Sequence, residues 1–95
     1  AEEAHRWGFV NEITPAATLM ERAWEIARLI ESGPPLVYAA IKEVVREAED
    51  MQFLPALRKI TGREFGTVDT LYSSEDQLEG ARAFAEKRDP VWKGK

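Results

Sequence analysis

From Pro35 to Ala48 the apolar residues Leu36, Val37, Ala40, Ile41, Val44, Val45 and Ala48 fall three and four apart, with Lys42, Glu43, Arg46 and Glu47 between them. That spacing is the period of an α-helix with one apolar stripe, and it does not fit the two-residue alternation of a half-buried strand. The same period recurs across Thr18–Ser32, on Leu19, Met20, Ala23, Trp24, Ala27 and Ile30. It recurs again from Leu54 or Pro55 to Leu71, on Leu54, Leu57, Ile60 or Thr61, Phe65, Val68 and Leu71 or Tyr72. A shorter stripe follows on Leu78, Ala81, Phe84 and Ala85. A chain so patterned is held to a mainly α fold of about four helices, each with a face to bury.

The punctuation agrees. Thr18-Leu19-Met20-Glu21 and Ser74-Glu75-Asp76-Gln77 read as capping boxes, a hydroxyl at the N-cap and Glu or Gln three residues on. Ser32-Gly33-Pro34-Pro35 stops one helix and lets Pro35 open the next at its first position. Glu49-Asp50 meets the negative end of the dipole of the helix that Pro35 opens, so that helix should fade there. Asp89-Pro90 ends the last one, because the residue before proline disfavours the α region. Gly62 and Gly66 interrupt the Leu54–Leu71 pattern four residues apart; they read either as a weak helix or as close approach of another helix. Ala1–Trp7 reads as the last turns of a helix that begins upstream, with Gly8 as its stop. Phe9-Val10-Asn11-Glu12-Ile13 reads as a short strand closed by Thr14-Pro15. A single strand leaves its backbone groups without partners, which implies a piece of something larger.

Composition narrows the function classes. Apolar residues make up 44% of the 95, a globular rather than disordered balance. There is no cysteine, so neither a disulfide framework nor a thiolate metal site is available, in keeping with a reducing, cytoplasmic setting. No apolar run approaches the roughly 18 residues needed to span a membrane, and the charged start lacks the apolar region of a secretory signal. The net charge is −4. Ala81–Lys95 holds five basic residues (Arg82, Lys87, Arg88, Lys93, Lys95) against Glu86 and Asp89, a local +3 that leaves −7 on the rest. An acidic body argues against general nucleic-acid binding, whereas a small cationic end suits one phosphorylated small molecule.

The residues supply little chemistry by themselves. His5, the sole histidine, has no Ser or Asp spaced to form a triad and reads as a structural or surface residue. No cluster has metal-ligand spacing. Glu43 and Glu47 stand four apart beside Lys42 and Arg46, and a solvated charged face explains them. No Gly-rich phosphate loop is present. Trp7, Trp24 and Trp92 read as core or edge packing. The basic tail reads either as a solvated helix end favoured by the dipole or as a binding element.

Three segments add a resemblance. "AEEAHRWGFVNEI" resembles the A-x-E-A-x-x-x-G-[LF]-V-N segment of the enoyl-CoA hydratase/isomerase (crotonase) family, and "SEDQLEGARAFAEKRDPVWKGK" resembles its S-x-D-x-x-E-G-x-x-A-F-x-E-K-R element. "PPLVYAAIKEVV" resembles the P-x-x-x-x-x-x-K-E helix between them. Together they cover essentially the whole chain and imply the C-terminal helical region of the crotonase (ClpP/crotonase-like) fold. Residues 1–13 would end the family's spiral core of ββα units, and residues 14–95 would form the helical packing and oligomerisation region. The family's oxyanion-hole amides and catalytic glutamates match no residue here, so the resemblance implies no catalytic residue in this chain. It does imply coenzyme A binding by Phe84 and Lys87, with Arg88 a weaker second cation. Phe84 offers an apolar ring beside adenine and Lys87 a point charge for a phosphate. The implied reaction is water addition or elimination at the α,β bond of an acyl-CoA thioester. Acyl-CoA is then substrate rather than cofactor, and self-association as a trimer or hexamer is expected. The rival reading is a free-standing helical interaction module without catalysis, which should hold no unpaired strand.

Overall fold

The computed structural model describes residues 1–95. It contains six helices and no strand: α1 (Glu2–Arg6), α2 (Leu19–Glu31), α3 (Pro35–Ala48), α4 (Phe53–Thr61), α5 (Gly66–Tyr72) and α6 (Glu75–Glu86). The mainly α class holds, and the architecture matches the helical region that the resemblance implied. The chain divides into two compact units, Ala1–Ser32 and Gly33–Lys95.

The first unit holds α1 and α2. Gly8 stops α1 as expected: it takes φ +78°, its N–H reaches His5 O at 3.0 Å, and Phe9 N–H reaches Ala4 O at 2.9 Å. These bonds close the carbonyl end of the helix through a left-handed residue, the conformation glycine adopts without a Cβ penalty. The strand expected at Phe9–Ile13 does not form. An extended segment becomes a strand only when a neighbour takes its N–H and C=O groups, and here Val10 O is taken instead by His5 Nδ1, 3.1 Å away. The absence of a strand is what the interaction-module reading expected, so this feature lends the fragment reading no support.

Thr18 stands at the N-cap of α2, but the expected capping box is absent. Its hydroxyl donates to Pro15 O at 3.3 Å rather than accepting from the helix. At φ −110° and ψ 0° the Thr18 backbone lies outside the extended region an N-cap takes, so its hydroxyl is not presented to the first-turn N–H groups. Arg22 ties the preceding loop to the helix through Glu12 (2.9 Å) and Glu25 (2.8 Å). Neither α1 nor α2 buries a residue. Trp7 and Trp24, expected to pack, are 67% and 58% exposed.

In the second unit, Pro35 opens α3 at its first position and the helix ends at Ala48, as read. The helix expected from Leu54 to Leu71 is broken in two. Gly62 caps α4, Arg63 turns left-handed at φ 56°, and Phe65 is extended before α5 begins at Gly66. The break has a packing reason: it swings Phe65 inward, where it is only 2% exposed. A continuous helix would hold Phe65 on the stripe of Leu54 and Leu57, both of which remain open to solvent. Phe65 joins Ala40 and Val68 in a small core, flanked by Val44, Ile60 and Leu71. Neither Gly62 nor Gly66 marks a close helix approach. A Cβ on Gly66 would meet nothing within 4 Å, and one on Gly62 would meet the carbonyl of Arg58 and the side chain of Glu64.

Glu43 is more than a member of a solvated face. One of its oxygens accepts from both the backbone N–H (2.8 Å) and the hydroxyl of Thr67. Thr67 lies in the first turn of α5, so α3 lends α5 the anionic cap its own N-cap residue, Phe65, cannot supply. The Thr67 hydroxyl and N–H hold the Glu43 carboxyl below its ordinary pKa, against a partial desolvation.

Candidate functional site

The last 22 residues form one small substructure, built from α6 outward. Ser74 caps α6 as expected, its hydroxyl accepting from Gln77 N–H at 3.1 Å. The reciprocal half of the box is not used, because Ser74 N–H already bonds Leu71 O at 3.2 Å. At the other end, Lys87 turns left-handed (φ 54°, ψ 41°), and Arg88 N–H returns to Ala83 O at 3.1 Å. That reversal sends the chain back along the helix it has just left.

The returning segment is strapped to α6 by two carboxylates. Asp76, 3% exposed, accepts from the backbone N–H groups of Lys93 (2.8 Å) and Gly94 (2.9 Å), while its own N–H donates to Lys95 O at 3.1 Å. Glu79 accepts from Val91 N–H at 2.9 Å and receives the Arg88 guanidinium on both oxygens, at 2.6 and 3.0 Å. Such a fork-to-fork pair is the stronger kind of ion contact. Arg88 therefore holds the Glu79 carboxyl down to about 2, with the Val91 N–H adding to the effect. Glu79 and Glu86 together raise the Arg88 guanidinium further above its already high value. Trp92 lies over Gly80, where a Cβ would stand 3.3 Å from its Cη2. This close approach is what the glycine permits; of the tryptophans read as packing residues, Trp92 is the one that packs.

The strap inverts the expected face of α6. Asp76 and Ala83 are buried and Glu79 is half-buried, because the tail covers that side. The apolar residues expected inside, Leu78, Ala81, Phe84 and Ala85, are all exposed. A helix buries whichever face its neighbours can satisfy. Here two carboxylates meeting four backbone or guanidinium donor groups outweigh a stripe that includes two alanines.

The candidate binding residues fall on the open side. Phe84 is 88% exposed, and Lys87 is exposed with no ion pair or side-chain hydrogen bond. Arg88 is not a second free cation, since Glu79, Glu86 and Asp89 O hold its guanidinium. Phe84 and Lys87 form a rim rather than a pocket. The grooves of about 380 and 360 Å³ beside the strap are lined by other residues, among them Glu75, Glu79 and Arg82 in one and Tyr72, Gly80 and Trp92 in the other. His5, on α1, meets only Val10 O, and no group of His, Asp or Glu is arranged to hold a metal ion. No helix is long and apolar enough to cross a membrane.

Sequence reasoning missed the Asp76 and Glu79 clamps. Both carboxylates lie in an acidic first half of α6 and look solvated. The available signal was the pairing of a small residue, Gly80, with an aromatic one, Trp92, beyond a proline break.

Comparison with known proteins places this geometry. The family model for enoyl-CoA hydratase/isomerase matches residues 1–95. Carnitinyl-CoA dehydratases of Escherichia coli (strain K12) and Salmonella typhimurium (strain LT2) are each 45% identical over all 95 residues. The chain spans about 36% of the length of those relatives. Among solved structures, an enoyl-CoA hydratase/isomerase from Mycobacterium paratuberculosis superposes with a TM-score of 0.86 at 30% identity. The enoyl-CoA hydratase from Bacillus anthracis superposes with a TM-score of 0.83 at 33% identity. Each match covers the whole of this chain, and 36% and 35% of those chains respectively. The dehydratase matches agree with the look of "AEEAHRWG" and "AFAEKRDPVWKG" at the two ends.

Proposed function

Because the chain belongs to the enoyl-CoA hydratase/isomerase family, we propose that it is the C-terminal helical part of an acyl-CoA hydratase, dehydratase or isomerase. In this reading α6 supplies part of the rim that receives the nucleotide end of coenzyme A. The parent reaction is addition or removal of water across the α,β bond of an acyl-CoA thioester. An oxyanion hole would stabilise the thioester enolate and a carboxylate would move the proton, both from residues outside this chain. Residues 1–13 would end the spiral core, and residues 14–95 would pack on it and on neighbouring subunits.

The observation that carries the reading is the open side of α6. A large aromatic ring and an unpaired ammonium stand three residues apart at one helix end, while the adjacent guanidinium is withdrawn. Phe84 is 88% exposed, and a base stacked on it would cover the ring. Lys87 is a mobile point charge suited to a phosphate oxygen. The bare stripes of α2, α3 and α4, including Trp24, Ile41, Val45 and Leu54, support a packing role against further protein.

The test is Lys87→Ala in the protein purified with its natural flanking sequence. Losing one charge-assisted contact should weaken coenzyme A binding by about 1.5–3 kcal/mol in calorimetry. Unchanged binding would remove Lys87 from the site.

A further inference from the structure

The geometry points to Glu79 as a positioning residue that decides which of two adjacent cations is offered to a phosphate. The inference rests on the reading of Lys87 as a coenzyme A contact and extends it to a residue that touches no ligand. Lys87 and Arg88 are neighbours in sequence, and an unconstrained tail would present both. In the structure they are treated in opposite ways. The Arg88 guanidinium is drawn onto both oxygens of Glu79, with Glu86 and Asp89 O taking further N–H groups. Lys87, held left-handed at the turn, carries no partner. The same Glu79 carboxylate accepts from Val91 N–H, so the fork on Arg88 and the path of the returning tail are set by one side chain.

The consequence is a choice between two kinds of contact. Arg would clamp a phosphate with a planar, two-toothed fork, whereas Lys offers a single mobile charge that follows the anion. Sequestering Arg88 leaves the looser contact, which permits quicker release of a substrate that must leave after each turnover. Glu79→Gln breaks the arrangement in a defined way. The amide keeps one acceptor for Val91 N–H but turns an NH₂ toward the second arm of the Arg88 fork; combined with Glu86→Gln, which removes the remaining ion pair, it leaves the guanidinium free to turn toward Lys87.

A double-mutant cycle on coenzyme A affinity reads this out, using the protein with its natural flanking sequence. In the parent background Lys87→Ala should weaken binding roughly tenfold or more. In the Glu79→Gln/Glu86→Gln background the same change should cost about threefold or less, because Arg88 replaces the lost charge. Adding Arg88→Gln to that combination should restore the full loss. An equal cost of Lys87→Ala in both backgrounds overturns the proposal while leaving Lys87 in the site. No cost in the parent background removes the coenzyme A reading itself, and this inference with it. A measurement without variants guards against unfolding of Glu79→Gln. An arginine-selective dicarbonyl reagent, followed by mass spectrometry, should modify Arg88 at least several-fold more slowly than Arg82, which carries no ion pair. Equal rates would show that Arg88 is not withdrawn and would overturn the proposal.

Discussion

Replacing Asp76 by Asn tests whether the tail is held by charge or merely lies where the chain ends. The side chain is 3% exposed and accepts two backbone N–H groups, from Lys93 at 2.8 Å and Gly94 at 2.9 Å. Asparagine is nearly the same shape but keeps only one acceptor oxygen, and its NH₂ would face a second N–H across the other contact. One bond to a charged acceptor is lost, at about 1.5–3 kcal/mol, and the surviving bond becomes the weaker, neutral kind. The penalty falls on docking of the tail, because α6 retains its Ser74 cap and its own backbone bonds. Roughly 2–3 kcal/mol corresponds to a 30- to 150-fold shift toward the released tail. Amide hydrogen exchange resolved at single residues reads it directly. The Lys93 and Gly94 N–H groups should lose protection by that factor, Val91 N–H by less because Glu79 still holds it, and Gln77 N–H hardly at all. Unchanged protection at Lys93 and Gly94 would refute the reasoning, since it would mean that the carboxylate contributes nothing to holding the tail.

Other consequences can be checked alongside. Lowering the pH should release the strap at its Glu79 end. Its carboxyl sits near 2 when folded against an ordinary 4.5, so its contribution to stability is complete above about 4.5 and fades as pH falls toward 2; the Val91 amide resonance, which senses the folded carboxyl, should shift with a midpoint near 2, and a shift confined to neutral pH would contradict it. Phe65→Ala should destabilise the second unit by about 3–5 kcal/mol in denaturant unfolding, because it empties the centre of a core that has few other members; a loss below 1 kcal/mol would show that Phe65 is not its keystone. The open apolar faces of α2 and α3 should make the isolated chain self-associate as concentration rises, and light scattering that reports a monomer at millimolar concentration would count against it.

Much of this was legible in the residues. The stripes of α2 and α3, the opening of α3 at Pro35, the stop at Gly8 and the Ser74 cap are local matters, decided by a period of 3.6 and by the dihedral preferences of single residues. The family was legible for a different reason: its end segments combine several fixed residues at fixed spacing. What could not be read depended on distant partners. Thr18 and Ser74 look alike as N-caps and both donate to the carbonyl three residues back; what separates them is the backbone, extended at Ser74 (φ −85°, ψ 158°) but not at Thr18 (φ −110°, ψ 0°). Phe65 sits on a continuous helical stripe in the sequence, yet the chain breaks its helix to bury that ring against Ala40 and Val68.

The amino-acid sequence by itself settled that this chain is helical and which family it joins, because periodicity and short motifs are properties of neighbouring residues. Which face of α6 lies inward, and which of Lys87 and Arg88 is left free, was decided only by the tertiary structure. The returning tail brings donors from residues 88–94 onto Asp76 and Glu79. Charge-assisted bonds made across the reversal at Lys87 hold the acidic side of α6 inward and leave Leu78, Ala81, Phe84 and Ala85 exposed.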